Sequence, residues 1–213
     1  MIQTATGIIL RTRPLTETSL IVHWLTANHG RIATVAKGAR RPKSQFLGKL
    51  DLFYEAEFSF SRSRRSELHT LREAALRETH PALREDMRQL QQASYGAALI
   101  EQVTETETPL AAVFELMHTF LAALSRCPPQ ARNIFAFELK LLHEMGLTPD
   151  LARSHLSNGA RQLVGALIES DWEAISSLAP SRAQATELRQ FLHGFLIFHL
   201  GGIPKHRNAA IGS

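Results

Sequence analysis

Hydrophobic and polar positions alternate through much of the first 75 or so residues of the chain. Phe58 and Phe60 alternate with Glu57 and Ser59, which is the pattern of a β-strand with one face in water. Turn signals separate this stretch from four others, most of them rich in β-branched or aromatic residues. Five short strands in this length favour a small closed barrel, and the OB-type barrel is the leading five-stranded candidate. The predicted strands are Thr6–Arg13, Ser19–Thr26, Arg31–Ala36, Leu52–Phe60 and Glu67–Arg72.

From His80 onward the apolar residues recur at spacings of three and four, which predicts helices. Polar residues dominate Thr148–Arg161, which follows the third predicted helix. We therefore expect an α+β, multi-domain chain, with an OB domain over residues 1–78 and an all-α domain over residues 79–213. The predicted helices run through Leu83–Val103, from Pro109 to about Arg126, and over Arg132–Met145, Asp171–Leu178 and Ser181–Leu200.

Positive charge is concentrated in the N-terminal part of the chain. The net charge is +4, yet residues 1–90 carry 15 Lys and Arg against 9 Asp and Glu, whereas the remainder carries 9 against 11. Such an asymmetry indicates an anionic partner for the N-terminal domain.

Two basic segments account for most of this charge. The run from His29 to Lys49 contains no acidic residue, and the turn from Ser61 to Ser66 contains three arginines. Placed at the rim of one barrel, the two loops would form a groove that neutralises phosphates, with Phe46 as an aromatic on which bases could stack. The candidate DNA-binding residues are Arg31, Lys37, Arg40, Arg41, Lys43, Lys49, Arg62, Arg64 and Arg65.

Signals for catalysis, metal binding and membrane insertion are weak. The chain has no nucleophile elbow, P-loop or HExxH motif, and Glu105 and Glu107 lie in a polar loop without an evident partner. Cys127 is the sole cysteine, so neither an internal disulfide nor a Cys-rich zinc site is expected. No apolar run is long enough for a membrane span, and the first residues lack a secretory signal pattern, which together favour the cytoplasm. We predict no cofactor, no metal, no catalytic residue and no small-molecule substrate.

Three segments resemble the RecO family of bacterial recombination-mediator proteins. The most specific pieces are Glu17–Leu20, His29–Arg31 with Ala36–Arg40, and Phe137–Leu139 with Gly146 and Pro149–Leu151. They keep the order and spacing of the family over nearly the whole chain. The full stretches read TGIILRTRPLTETSLIVHWLTANHGRIATVAKGARRPKS, FELKLLHEMGLTPDL and LGGIPK.

The resemblance implies an OB domain followed by a helical domain and a non-enzymatic role in DNA repair through the RecFOR pathway. It implies binding to single- and double-stranded DNA, annealing of complementary strands, and help in loading recombinase onto DNA coated by single-strand-binding protein. The implied partners are RecR and the acidic-hydrophobic tail of single-strand-binding protein, with a cytoplasmic, nucleoid-associated location. Cations near the expected tail site in the helical domain are Arg132, Lys140 and Arg153.

One departure from the family concerns zinc. Many members carry a four-cysteine module in the helical domain, and its first CxxC would align with Ser154 and Ser157. A serine hydroxyl is a poor zinc ligand, so we expect the degenerate module, about residues 148–170, to depend on apolar packing of residues such as Leu163, Leu167 and Ile168.

Two rival functions stay open on the sequence alone. One is a non-catalytic protein–protein adaptor whose basic loop binds an acidic partner. The other is a nuclease or nucleotidyl transferase, which would need clustered carboxylates for metal ions. The N-terminal domain offers only scattered ones, at Glu17, Asp51, Glu55 and Glu57.

Overall fold

Five strands at the N-terminus close into a barrel in the computed structural model, which describes residues 1–212. The strand order is β1-β2-β3-β5-β4, with β4 also pairing with β1, and only the β3–β5 pair is parallel. The five predicted strands and the OB-type barrel are thereby confirmed. The strands are β1 (Ile2–Pro14), β2 (Leu20–Thr26), β3 (Gly30–Ala36), β4 (Glu55–Ser61) and β5 (Leu68–Glu78).

Aromatic side chains fill the barrel. The Trp24 ring stacks on Phe58 with centroids 4.0 Å apart, and its indole N–H donates to Thr34 Oγ1 at 2.9 Å. Trp24 and Phe53 are also buried in this core. Phe46 is only 4% exposed and belongs to the same core, so the prediction that it stacks on bases is wrong. Phe46 folds inward because it is an aromatic ring that the barrel interior can remove from water.

The chain divides into two compact units. The first comprises residues 1–80 together with Thr104–Glu115, and the second comprises Pro81–Val103 together with the chain from Leu116 onward. The segment Thr104–Thr108, here called the returning segment, thus belongs with the barrel although α1 precedes it. The sequence-based division at residues 78 and 79 stays a prediction, and Ser213 at its end lies outside the described residues.

Seven helices follow the barrel within residues 1–212. Five of them match predicted helices, with ends that differ by a few residues. The other two lack a strong apolar periodicity and were not predicted. Ser181 caps α6 in a capping box and Gly201 ends it in the left-handed conformation, both as the sequence indicates. The helices are α1 (Met87–Val103), α2 (Ala111–Leu124), α3 (Ala131–Glu144), α4 (Asn158–Glu169), α5 (Trp172–Ser177), α6 (Arg182–Leu200) and α7 (Arg207–Ile211).

Helix α4 lies in the degenerate zinc-module region, where the sequence pattern predicted none. Ser157, which the family resemblance aligns with a cysteine, caps α4 by accepting from Ala160 N. Leu163 and Leu167 are buried on one face of α4, as expected for a region held by apolar packing. The Ser157 hydroxyl thus satisfies one of the free N–H groups at the start of α4.

A buried ion pair joins α7 to α3. The guanidinium of Arg207 donates to both carboxylate oxygens of Glu138, at 2.6 and 2.7 Å, and Tyr95 OH from α1 donates to the same carboxylate at 2.6 Å. Burial, followed by the charge of Glu138, raises the pKa of Tyr95 far above its usual value, so its hydroxyl stays a donor. All three side chains are almost completely buried. Within residues 1–212, no helix combines the length and the apolar character that a membrane crossing requires.

Candidate nucleic-acid interface

Four cations stand on an ordered loop after β3. This basic loop, Lys37–Lys43, turns at Gly38, whose φ of 70° favours glycine over other residues. Consecutive turns then follow, with Arg41 N donating to Gly38 O and Ser44 N donating to Arg41 O, both at 3.0 Å. Phe46 fixes the far side of the loop in the barrel core. The cations therefore project from a loop whose backbone is fixed by hydrogen-bonded turns and by the burial of Phe46.

The cations of the basic loop are exposed, and none of them pairs with a carboxylate among the described residues. Arg40 alone is tethered, because its guanidinium donates to Thr16 O at 3.1 Å and its backbone N–H to Thr18 O at 3.0 Å. Cations without a local counter-ion are available to phosphate oxygens.

Arg13 is a further exposed cation at this end of the barrel. Arg13 on β1 pairs with Ile21 on β2. The neighbouring residue, Leu20, pairs with Ala36, which directly precedes the basic loop. Half-burial of His23, followed by repulsion from Arg11, Arg13 and Arg31, lowers the pKa of that histidine to about 4. Sequence reasoning missed Arg13 because an arginine before a proline at a strand end is locally unremarkable.

The second basic segment, here called the arginine turn (Arg62–Glu67), lies at the other end of β3. Strands β3 and β5 are parallel, and Ala33 pairs with Leu68, the first residue of β5. The arginine turn precedes β5 and therefore lies near the start of β3, whereas the basic loop follows Ala36 at the end of β3. Six residues of strand separate Arg31 from Lys37, about 20 Å at 3.3 Å per residue. The prediction that both loops stand on one rim and form one groove is wrong.

Two of the predicted DNA-binding residues, Arg31 and Lys49, lie outside the basic loop and the arginine turn and contact other parts of the barrel unit. Arg31 Nε donates to Thr104 Oγ1 at 2.7 Å, and its guanidinium also donates to Thr104 O, so it fixes the returning segment to the barrel. Lys49 is half-buried and lines a groove of about 450 Å³ that also contains Glu57 and Glu73. Neither cation belongs to the basic loop or to the arginine turn.

Within the arginine turn, Arg64 and Arg65 are exposed without a carboxylate partner among residues 1–212, whereas Arg62 forms an ion pair with Glu107. His69 Nε2 lies 3.1 Å from the other oxygen of Glu107, and Ser63 N donates to His69 Nδ1 at 3.4 Å. Burial lowers the pKa of His69 although Glu107 opposes the shift, and the two contacts fit a neutral ring with its proton on Nε2. The expectation that Glu107 has no partner is wrong.

The three cations proposed for a partner's tail differ in availability. Lys140 Nζ donates to the carbonyls of Ile168 and Ser170 at 2.6 and 2.8 Å, and burial lowers its pKa. Arg132 donates to Ser176 O. Both therefore cap neighbouring backbone, while Arg153 has a side chain that is 90% exposed and pairs with Asp150 only at 3.4 Å.

Arg153 borders an apolar groove of about 920 Å³ in the helical unit. One wall is the aromatic face of α6, where the Phe191 and Phe195 rings lie 5.8 Å apart and Phe198 is 83% exposed. The chain from Gly146 to Leu156 forms the other wall. A groove with an apolar floor and one exposed cation at its border can hold a short peptide that is both apolar and acidic.

Comparisons with known proteins agree with this architecture. The family model described as "Recombination protein O N terminal" matches residues 1–80, and the model described as "Recombination protein O C terminal" matches residues 84–158. Together they cover most of the chain, including the barrel and α1 to α3.

Curated relatives of this chain are named DNA repair protein RecO. The chain is 32% identical to DNA repair protein RecO of Bacillus subtilis (strain 168) over 151 residues, 71% of this chain and 58% of the relative. It is 32% identical over 146 residues to that of Anaeromyxobacter dehalogenans (strain 2CP-C), covering 68% and 58%, and 29% identical over 145 residues to that of Syntrophus aciditrophicus (strain SB), covering 68% and 56%. The chain thus spans somewhat under three fifths of the length of these relatives. On the two family models and these relatives, the chain belongs to the RecO family of DNA repair proteins.

Proposed function

We propose that this chain is a recombination mediator that binds single- and double-stranded DNA and anneals complementary strands. It would help to load a recombinase onto DNA coated by single-strand-binding protein, with a RecR-type protein as partner, and would associate with the nucleoid. The observation that carries the proposal is the basic loop, which presents Lys37, Arg41 and Lys43 without carboxylate partners on an ordered turn of an OB barrel.

Binding through these cations would depend on phosphate charge. Lys and Arg that neutralise phosphates release condensed counterions, so affinity falls log-linearly with salt. Contacts to phosphate carry little sequence information, and we therefore expect weak sequence preference. The aromatic residues of the barrel are committed to its core, so base stacking contributes little at this face.

Annealing requires no acid, base or metal in this mechanism. Two strands held on one positive surface repel each other less, and base pairing then proceeds by itself. The chain's own part is to supply the basic loop together with Arg13 as the first contact. The arginine turn, about 20 Å away along β3, is a second contact for the same or the partner strand.

Replacing both Arg40 and Arg41 by Ala tests this mechanism. Loss of two phosphate contacts lowers the slope of log affinity against log salt by about 1.4 for a single strand. Between 50 and 200 mM salt, the wild-type protein then loses about sevenfold more affinity than the variant. Fluorescence anisotropy with labelled single strands of mixed sequence measures both slopes.

A matched control replaces Arg126 and Arg182, two exposed arginines of the helical unit, by Ala. This control makes the same change in net charge away from the loop and should leave the slope near its wild-type value. Equal slopes for wild type and the Arg40/Arg41 variant would show that the basic loop is only a solvated surface. An acidic protein partner that duplex DNA fails to displace would instead favour the adaptor role.

The groove beside Arg153 is the proposed seat for the tail of single-strand-binding protein. Its apolar end would enter between Phe191 and Phe198, and its acidic residues would meet Arg153 after that side chain leaves Asp150. Surface ion pairs of this kind contribute only about 0–1 kcal/mol, so the exchange is easy. Nuclear magnetic resonance titration with the tail peptide should shift signals of both walls. Absence of any shift in the helical unit would refute this site.

A further inference from the structure

Glu107 uses both of its carboxylate oxygens on the barrel. Oε2 pairs with Arg62 of the arginine turn, and Oε1 lies 3.1 Å from His69 Nε2. Among the three arginines of the turn, Arg62 is thus the one whose charge is already matched, while Arg64 and Arg65 remain open. The neutral His69 adds a hydrogen-bond donor but no charge of its own.

The backbone of Glu107 is held in an unfavourable conformation. Its φ of 55° lies in the left-handed region, which side chains other than glycine seldom adopt. Residues in such conformations persist only where their surroundings fix them, and they cluster at binding sites and switches.

The returning segment supplies the fixing contacts. Glu107 N donates to Arg31 O at 2.9 Å, and Thr106 forms a parallel bridge with Arg31. Arg31 also donates to both oxygens of Thr104, and the absence of a side chain at Gly30 lets the Thr108 backbone approach β3 closely. The segment therefore runs beside the start of β3 and is joined to it by one parallel bridge, whereas β5 pairs with β3 only from Leu68 onward.

The arginine turn and Glu107 line one open groove of about 910 Å³. A carboxylate that accepts from a guanidinium makes the same charge-assisted contact as a phosphate oxygen. A nucleic-acid strand in this groove would meet Arg64 and Arg65 directly, but it would meet Arg62 only in competition with Glu107.

We propose that Glu107 is a built-in competitor that occupies Arg62 in place of a backbone phosphate and so sets how many phosphates the arginine turn can bind. This inference rests on the proposed function, since the ligand is the same DNA. Its consequence is a weakened second contact at this end of β3, which makes the basic loop the dominant one and lets a bound strand leave the turn readily.

Replacing Glu107 by Gln tests the competition. Gln keeps the size of the side chain and an acceptor for His69 but frees the charge of Arg62. Glu105→Gln is the matched control, because Glu105 is exposed on the same segment and has no side-chain partner among the described residues. Both variants change the net charge equally, so any difference between them reports the site.

The expected result is a salt slope for single-stranded DNA about 0.7 steeper in Glu107→Gln than in Glu105→Gln. The loss of affinity between 50 and 200 mM salt is then about 2.6-fold larger in Glu107→Gln. The added slope should vanish in the double variant Arg62→Ala/Glu107→Gln. Thermal unfolding of each variant verifies that the barrel remains folded.

A comparison that leaves Glu107 intact covers the case in which Glu107→Gln does not fold. Arg64→Ala should lower the slope, whereas Arg62→Ala should leave it nearly unchanged, since Arg62 is already matched. Equal slopes for the two Gln variants, or equal losses for the two Ala variants, would overturn the inference while the proposed function stands. No binding of DNA by any protein, wild type included, would overturn both.

Discussion

Breaking the buried ion pair between Arg207 and Glu138 should strongly destabilise the helical unit. Replacing Arg207 by Met removes both charged donors at 2.6 and 2.7 Å and leaves Glu138, which is fully buried, with Tyr95 as its remaining donor in this cluster. Leaving one partner of a buried pair uncompensated typically costs about 3–5 kcal/mol. Domains are stable by only about 5–15 kcal/mol, so the variant should unfold at a markedly lower denaturant concentration.

The same physics predicts that removing the whole cluster is far milder. Two charges without water around them gain little over apolar side chains of similar volume. In the triple variant Tyr95→Phe, Glu138→Leu and Arg207→Met, no polar group of the cluster remains. The Tyr95 change is needed because a buried hydroxyl without an acceptor costs about 1–3 kcal/mol. We expect the triple variant to lie within about 2 kcal/mol of the wild-type protein.

Urea unfolding followed by far-UV ellipticity measures these differences, because the helices supply most of that signal. The single variant should lose about 3–5 kcal/mol of its unfolding free energy, and the triple variant should recover most of that loss. A loss below about 1 kcal/mol in Arg207→Met, or a triple variant as unstable as the single one, would refute the reasoning about buried charge.

Four further perturbations have defined outcomes. The folded-state pKa of His23 is about 4, well below its usual value of about 6.5. Between these two values the unfolded chain binds one proton more than the folded chain, so stability should fall as the pH drops through this window. His23→Gln should remove that part of the pH dependence in acid unfolding curves. Gly30→Ala should destabilise the barrel, since a Cβ there overlaps the backbone of Thr108 and the left-handed conformation alone costs about 1–2 kcal/mol; an unchanged midpoint of thermal unfolding would contradict this. Ser157→Ala should cost about 0.5–2 kcal/mol through loss of the α4 cap. Hydrogen bonds from Ser157 lower the pKa of Glu187 from its usual value of 4.5. Their stabilisation is therefore complete above that value and is lost as the pH falls through the folded-state pKa, which a Glu187→Gln comparison across pH detects.

Strand alternation and helix capping were readable from the sequence because they are local. Phe58 and Phe60 reveal a half-buried strand by their own spacing, and Ser181 marks a helix start by its hydroxyl. Helix α4 escaped notice because Gly159 and Gly165 weaken its propensity and because polar residues precede it. Its apolar face becomes decisive only once it packs on α3 and α6.

The site depended on contacts between residues far apart in sequence. Arg31 and Thr104 are 73 residues apart, so no local pattern could show that this arginine anchors the returning segment. Likewise, charge counting treated Arg62 as equal to Arg64, although Glu107 from 45 residues away neutralises it. Composition could predict a polyanion-binding domain, whereas only the folded chain distinguishes free cations from committed ones.

Annealing of complementary strands coated with single-strand-binding protein tests the central claim most directly. The wild-type protein should accelerate annealing over the spontaneous rate at low salt and lose this effect as salt rises. Arg40→Ala/Arg41→Ala should reduce the acceleration strongly, and Arg126→Ala/Arg182→Ala should not. Equal acceleration by both variants would contradict a function of the basic loop, and no acceleration by the wild-type protein would contradict the mediator role itself.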